Sequence, residues 1–197
     1  MHAAPRMKKL LVLLVLLSAG VVWYARRRSA ERRAKQALVA SLCADDAEKL
    51  ACLHPRARAV IDIEAAVRTS DVVCLASHAY EPVIECGWVR PGTHVTSVGY
   101  APPNGEMPRD LARQGTLYVE TADAFKAPPV GCGELAGLDP EKGIPLGDML
   151  AGRRPGRVSA TQITVYKAMG SAMEDMVAAD LVYEKAKAQR AGMVVRI

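Results

Sequence analysis

A parallel β-sheet holds ligands at the carboxyl ends of its strands, so polar or turn residues that close apolar runs are the first candidates for chemistry. Three such ends occur here. Ala76-Ser77-His78 closes the run that begins at Asp71, and Val98-Gly99-Tyr100 closes the run that begins at His94. Arg26-Arg27-Arg28-Ser29 follows Val21-Val22-Trp23-Tyr24. In a dinucleotide fold the residue ending the second strand faces the adenosine ribose, where an acid favours NAD and an arginine accommodates the 2′-phosphate of NADP. With Val21–Tyr24 as that strand, Arg26 and Arg27 precede any acid before Glu31 and lean towards NADP. A solvated basic helix start is the alternative reading of the same arginines.

Other chemistry is thinly represented. His78 and His94 each stand alone near a strand end, a position more often structural than catalytic. No nucleophile elbow or Ser-His-Asp order is present. Glu174 and Asp175 are adjacent on a helical stretch and point about 100° apart, which does not make a shared acid-base site. Gly131-Cys132-Gly133-Glu134-Leu135-Ala136-Gly137 has the look of a phosphate loop. It follows Pro128-Pro129 rather than a strand, and its last glycine falls one position late. Ser18-Ala19-Gly20 has serine where the first glycine of a dinucleotide turn belongs. The five cysteines, Cys43, Cys52, Cys74, Cys86 and Cys132, show no C-x-x-C and no zinc spacing. They read as buried or semi-buried thiols of a reducing compartment.

The elements that must position these residues alternate in type. Ser29 to about Leu53 is rich in helix formers, with a second helix starting near Asp45-Asp46. Arg58–Ile61 reads as a short strand, and Asp62 as the N-cap of a helix beginning at Ile63. Asp71–Ala76, His94–Val98 and Thr116–Val119 are apolar runs of the kind buried on both faces of a sheet. A Pro/Gly-rich region from Pro128 to Gly156 contains a short helical piece, Leu146–Ala151. Thr161–Tyr166 reads as one more strand. In the last helix Met169, Met173, Met176, Val177 and Leu181 form one apolar stripe, and Gly192 is a fitting stop. Strands alternating with helices specify an α/β fold with a mostly parallel sheet.

The 197 residues suffice for one sizeable core, and 50% hydrophobic with 24% charged residues is ordinary for a globular domain. The net charge of +5 raises nucleic acid as a partner, but one Phe and two Trp leave little surface for base stacking, which argues against it. Lys8-Lys9 precedes an apolar run from Leu10 to Ala25, closed by Arg26-Arg27-Arg28. This run is read either as part of the fold or as a signal or membrane anchor; it is shorter than the roughly 20 residues that span a bilayer. A cytoplasmic location is the expectation, with a membrane-anchored form as its alternative.

Several phrases together resemble the ornithine cyclodeaminase/mu-crystallin family. They are Ser70-Asp71-Val72-Val73-Cys74-Leu75-Ala76-Ser77-His78 with Glu81-Pro82-Val83-Ile84, and Trp88-Val89-Arg90-Pro91-Gly92-Thr93-His94-Val95-Thr96-Ser97-Val98-Gly99. Val130–Leu135 and Leu146–Gly152 match the segment that follows, and Ile163–Asp175 matches the family's C-terminal signature. Ordered matches run from about Ile61 to Tyr183; Val21 to Ala34 fits less well and Met1 to Gly20 does not fit. The resemblance implies a Rossmann domain that binds NAD(H) or NADP(H), and hydride transfer to or from an amino acid or cyclic imino acid. It places cofactor contacts at Arg26, Arg27, Leu75, Ala76, Ser77, Val98 and Gly99, with Lys167 and Ser171 as further positions in the C-terminal signature.

The departures carry expectations of their own. The family's N-terminal substrate-binding region and the G-x-G-x-x-A loop of its first strand are not found, so weak cofactor binding and doubtful activity are expected. The aspartate of ornithine cyclodeaminases falls at Ala101, which disfavours ornithine deamination. The implied organisation is an apolar segment over 1–20, a partial Rossmann-like domain over 21–160, and a strand and helix over 161–197. That last segment would pack on a substrate and dimerisation domain. Implied partners are an amino or imino acid, and a second copy or a full-length relative. The rival reading is a non-catalytic interaction protein that uses the C-terminal helix stripe.

Overall fold

The computed structural model describes residues 21–27, 35–41 and 44–193. The strands are β1 (Val21–Arg27), β2 (Lys35–Ser41), β3 (Ala57–Ala59), β4 (Val72–Leu75), β5 (His94–Ser97), β6 (Thr116–Val119), β7 (Gly143–Pro145) and β8 (Thr164–Lys167). The helices are α1 (Ala44–Ala51), α2 (Ile63–Arg68), α3 (Arg109–Gln114), α4 (Leu146–Leu150) and α5 (Ala172–Gln189). Among the described residues the strands form one sheet in the order β3-β2-β1-β4-β5-β8-β6-β7. All neighbours pair in parallel except β1, which runs antiparallel to both β2 and β4. The fold is thus α/β with a mostly parallel, Rossmann-like sheet.

Alternation along each strand decides what faces the core. Val73, Val95, Val165 and Leu117 lie side by side in register, and each is at most 2% exposed. The next row on the same face is Leu75, Ser97, Lys167 and Val119. Val67 of α2, Leu111 of α3, Met107, Leu135 and Phe125 close over this face and form the main core. A smaller cluster of Val39, Ala47 and Leu50 packs β2 against α1. α2 begins as the sequence predicts, with the Asp62 side chain accepting from the Ala65 N–H at 2.8 Å.

Several expectations are corrected. Val21–Tyr24 is not a parallel second strand. It belongs to β1, which fills the position between β2 and β4 in the opposite sense. Residues 35–41 form a strand rather than a helix, because pairing with β1 and β3 outweighs local helix propensity. β7, within the Pro/Gly-rich region, is too short at three residues to be read from the sequence and is supplied by its pairing with β6. The last helix starts at Ala172, so Met169 lies outside it and packs partly buried on the core. The helix stops at Arg190, which takes the left-handed conformation (φ 52°), two residues before Gly192. β8 stands inside the sheet between β5 and β6, so the segment from 161 onward shares its strand with the main core. The apolar run upstream of Val21 and the Ser18-Ala19-Gly20 turn lie outside the described residues. Among the described residues no helix is long and apolar enough to cross a membrane.

Candidate functional site

The carboxyl ends of β4, β5 and β8 converge on one buried side-chain network. Glu106 is fully buried, and its two carboxylate oxygens take four donors. Oε2 accepts the Ser77 N–H and the Ser77 hydroxyl (2.7 Å). Oε1 accepts the Ser97 hydroxyl (2.7 Å) and the Gly99 N–H (2.8 Å). Four donors on two oxygens use the acceptor capacity of a carboxylate. It staples the end of β4 to the end of β5. The two ends are so close that a Cβ on Gly99 would overlap the Ser77 carbonyl oxygen and press on Glu106.

Lys167 completes the network from β8. It shares the core-facing row with Val165, two residues earlier, so its side chain points inward and is 0% exposed. The Nζ donates to Ser97 Oγ at 2.9 Å and to the Gly99 carbonyl at 2.6 Å, and forms an ion pair with Glu134 Oε2 at 2.5 Å. Two of its hydrogens are thus used in hydrogen bonds, while Glu134 Oε2 meets the ammonium as an ion pair only. Glu134 is also fully buried, and its Oε1 accepts the Met107 N–H at 2.9 Å. Gly105, at φ +75°, lies against the Glu134 carboxylate, where a side chain would collide with it. The Tyr100 ring lies 5.8 Å from the Lys167 ammonium, and the Tyr100 hydroxyl is buried without a hydrogen-bond partner.

Burial pushes the Glu134 carboxyl up from its ordinary 4.5, and the Lys167 ammonium only partly offsets this. The unfolded chain therefore ionises at Glu134 at lower pH than the folded one. Its contribution to stability is full below 4.5 and is lost as pH rises through the raised value. Urea titrations from about pH 4 to pH 8 should show the wild type losing stability relative to Glu134→Gln as pH increases.

The sequence-derived site residues divide sharply. Leu75, Ala76, Ser77, Val98 and Gly99 are gathered at this edge. Leu75 is fully buried and contributes there only through its backbone, with its carbonyl accepting the Val98 N–H at 3.0 Å. The Ser77 hydroxyl and N–H are both committed to Glu106, whereas Val98 is 55% exposed. Lys167 belongs to the site but faces the core and is 0% exposed, so it does not reach a ligand at the edge. Ser171 caps α5, its hydroxyl accepting the Met173 N–H. Arg26 and Arg27 lie within β1, whose antiparallel course carries them to the opposite end of the sheet from Ser77 and Gly99. The argument for NADP from these two residues loses its geometric basis.

The remaining candidates fall elsewhere. His94 opens β5, at the far end of that strand, and bonds Thr164 Oγ1 through Nδ1 at 2.8 Å. His78 is exposed and meets the Tyr80 ring edge-on. Gly131 and Gly133 pack against backbone carbonyl oxygens of Ala124, Asp123, Lys126 and Pro103, an acceptor-rich setting unsuited to phosphate. At the same edge of the sheet, beyond the ends of β2 and β3, a groove of about 480 Å³ runs between α1 and α2. Leu38, Ala47, Val60, Ala65 and Asp62 are among its walls.

Sequence reasoning missed Glu106, Glu134, Ser97 and Glu120. For Ser97 the strand alternation was sufficient, since it shares a face with Val95. Glu120 is recognisable only from the fold: it accepts the Met169 N–H at 2.9 Å and the Tyr166 hydroxyl at 3.3 Å. Burial, and then the Glu120 charge, push the Tyr166 phenol up.

The cysteines also divide. Cys52 is exposed, contrary to expectation, because it follows the last turn of α1 rather than facing the sheet; Cys43 lies outside the described residues. Cys132 is buried and its thiol is pushed up to about 11, chiefly by burial. A thiol reagent at pH 8 should label Cys52 in seconds to minutes and reach Cys132 only on unfolding, read by peptide mass mapping.

Comparison with known proteins places this geometry. The model of the ornithine cyclodeaminase/mu-crystallin family matches residues 32–190, extending upstream of the Ile61 at which ordered resemblance begins. The ketimine reductase mu-crystallin of Mus musculus is 33% identical over 175 residues, which cover 87% of this chain and 54% of that protein. The Delta(1)-pyrroline-2-carboxylate reductase of Paracoccus denitrificans is 35% identical over 133 residues, covering 63% of this chain and 41% of that protein. The structure of Thermococcus litoralis Delta(1)-pyrroline-2-carboxylate reductase in complex with NADH and L-proline superposes with a TM-score of 0.69 at 29% identity. It covers 80% of this chain and 52% of that one. The chain thus spans about half the length of the relatives it matches.

Proposed function

The chain belongs to the ornithine cyclodeaminase/mu-crystallin family, and on that premise we propose that it binds NAD(H) or NADP(H) and moves a hydride to or from a cyclic imino acid or amino acid. The observation that carries this reading is the stapled carboxyl edge of β4 and β5, where a parallel sheet receives its ligand. The relatives and the superposing structure named above include reductases of cyclic imines, one of them holding NADH and L-proline. The Val98–Gly99 edge and the apolar groove beyond β3 suit the two ends of a dinucleotide. The Gly131–Gly133 turn does not suit its phosphates. When bound, the cofactor supplies the hydride acceptor or donor. The protein's part is to hold the Ser77 and Gly99 backbones at a set spacing through Glu106, and to present Val98 to the ring. Ala101 is fully buried and brings no carboxylate, so reduction of a cyclic imine is favoured over ornithine deamination.

The test is a fluorescence titration with NADH and NADPH, followed by absorbance assays with Δ1-pyrroline-2-carboxylate. Binding with Kd between about 10 μM and 1 mM is expected, an affinity of roughly 4–7 kcal/mol. No binding at millimolar cofactor overturns the reading.

A second reading rests on α5. Met173, Met176, Val177 and Leu181 are each at least 54% exposed, and no residue of the helix is buried. An apolar stripe of this length left in water marks an association surface. The occupant we favour is a second copy of the chain. Light scattering should then show a dimer that Met176→Glu/Leu181→Glu converts to monomer; a monomeric wild type at tens of micromolar overturns this reading.

A further inference from the structure

Among the described residues Glu106 and Glu134 flank the Lys167 ammonium, Glu134 in an ion pair and Glu106 through the Ser97 hydroxyl, and all three side chains are 0% exposed. The Glu106 carboxylate accepts four donors, whereas Glu134 accepts only the Met107 N–H and meets the ammonium through Oε2. The cluster therefore either carries one uncompensated negative charge or holds one proton, and Glu134 is the group at which that proton resides. The groups that face Glu134 are Lys167 from β8, Glu106 from the turn after β5, Met107 through its N–H, and Cys132 on its own segment. Tyr100 lies over the ammonium from the same turn. None of these adds a second positive charge.

The cluster is one hydrogen bond below the surface. Glu106 Oε1 holds the Gly99 N–H, Lys167 holds the Gly99 carbonyl, and Val98 beside them is exposed. A buried negative charge so close to the edge is little screened by solvent and acts on whatever rests there. The nicotinamide ring is cationic when oxidised and neutral when reduced. Taking the cofactor reading above as its basis, we infer that the Glu106–Lys167–Glu134 cluster selects the redox form of the ring. It favours the oxidised, cationic form and couples its binding to the loss of a proton from Glu134 to solvent. Binding of the neutral ring leaves that proton in place. The linkage is reciprocal: the cation draws the proton off, and removal of the proton strengthens cation binding.

NADH affinity read by fluorescence, and NAD+ affinity read by displacement of NADH, test this between about pH 5 and pH 8. In the wild type the preference for NAD+ over NADH should rise with pH by about two- to tenfold. In Glu134→Gln, where no proton can leave, the ratio should stay flat. Equal slopes in the two proteins, or a flat wild-type ratio, overturn the inference while leaving cofactor binding intact. Should Glu134→Gln fail to fold, the wild type decides alone. In weakly buffered solution NAD+ should release protons on binding and NADH should not; equal release overturns the inference. If neither form binds, the cofactor reading falls, and this inference with it.

Discussion

Lys167→Met should destabilise the protein by about 3–5 kcal/mol, because it leaves two fully buried carboxylates without their only ammonium. The methionine nearly matches the lysine stem in volume, so the loss is electrostatic and polar rather than one of packing. It also frees the Gly99 carbonyl and the Ser97 hydroxyl from their donor. Above the raised Glu134 pKa, where that carboxyl is ionised, part of the cost is its isolated charge, so Lys167→Met/Glu134→Gln should recover roughly 1–3 kcal/mol of it there. Urea denaturation of the four members of the cycle measures this. Wild-type stability for Lys167→Met would mean that the ion pair is not formed as described.

Gly99→Ala should act on the same edge from the backbone. Its methyl group overlaps the Ser77 carbonyl oxygen and crowds Glu106, and backbone on both sides cannot yield without parting β4 from β5. A cost of about 3 kcal/mol or more is expected, near the upper end for overpacking. Cofactor affinity should fall at least about tenfold, since the spacing of the two strand ends is what the proposed site consists of. The control is Gly147→Ala in α4, where an added Cβ meets no atom; it should be neutral or slightly stabilising. Equal cofactor affinity for Gly99→Ala and wild type would separate the close approach of the strands from any role in binding.

The relation between the two substitutions bears on how the site is built. Lys167 and Gly99 are joined by a hydrogen bond across 68 positions of sequence. Loss of either should loosen the other's partner, so their effects should fall short of additive when combined.

Much of this protein was legible in its residues. Short runs rich in apolar residues and bounded by polar ones located β4, β5 and β6, because a strand inside a sheet buries most of its side chains. Asp62 announced α2 through a local hydrogen bond, and phrase-by-phrase resemblance reached the family. The strand ends Ala76-Ser77 and Val98-Gly99 were found for the same reason: where an apolar run stops, a parallel sheet exposes its edge. What the sequence left undecided was non-local. Alternation with Val165 places Lys167 on the core face, but nothing nearby names its partners, which come from 33 to 70 positions away. Its place in the family's C-terminal signature therefore made it resemble a cofactor contact. Arg26 and Arg27 looked like cofactor ligands because a strand's direction is set by its neighbours, and β1 runs against them. The apolar residues of α5 specified a helix without saying what would cover them. Periodicity records which face of an element avoids water; which groups meet on that face depends on pairings that only the folded chain brings together.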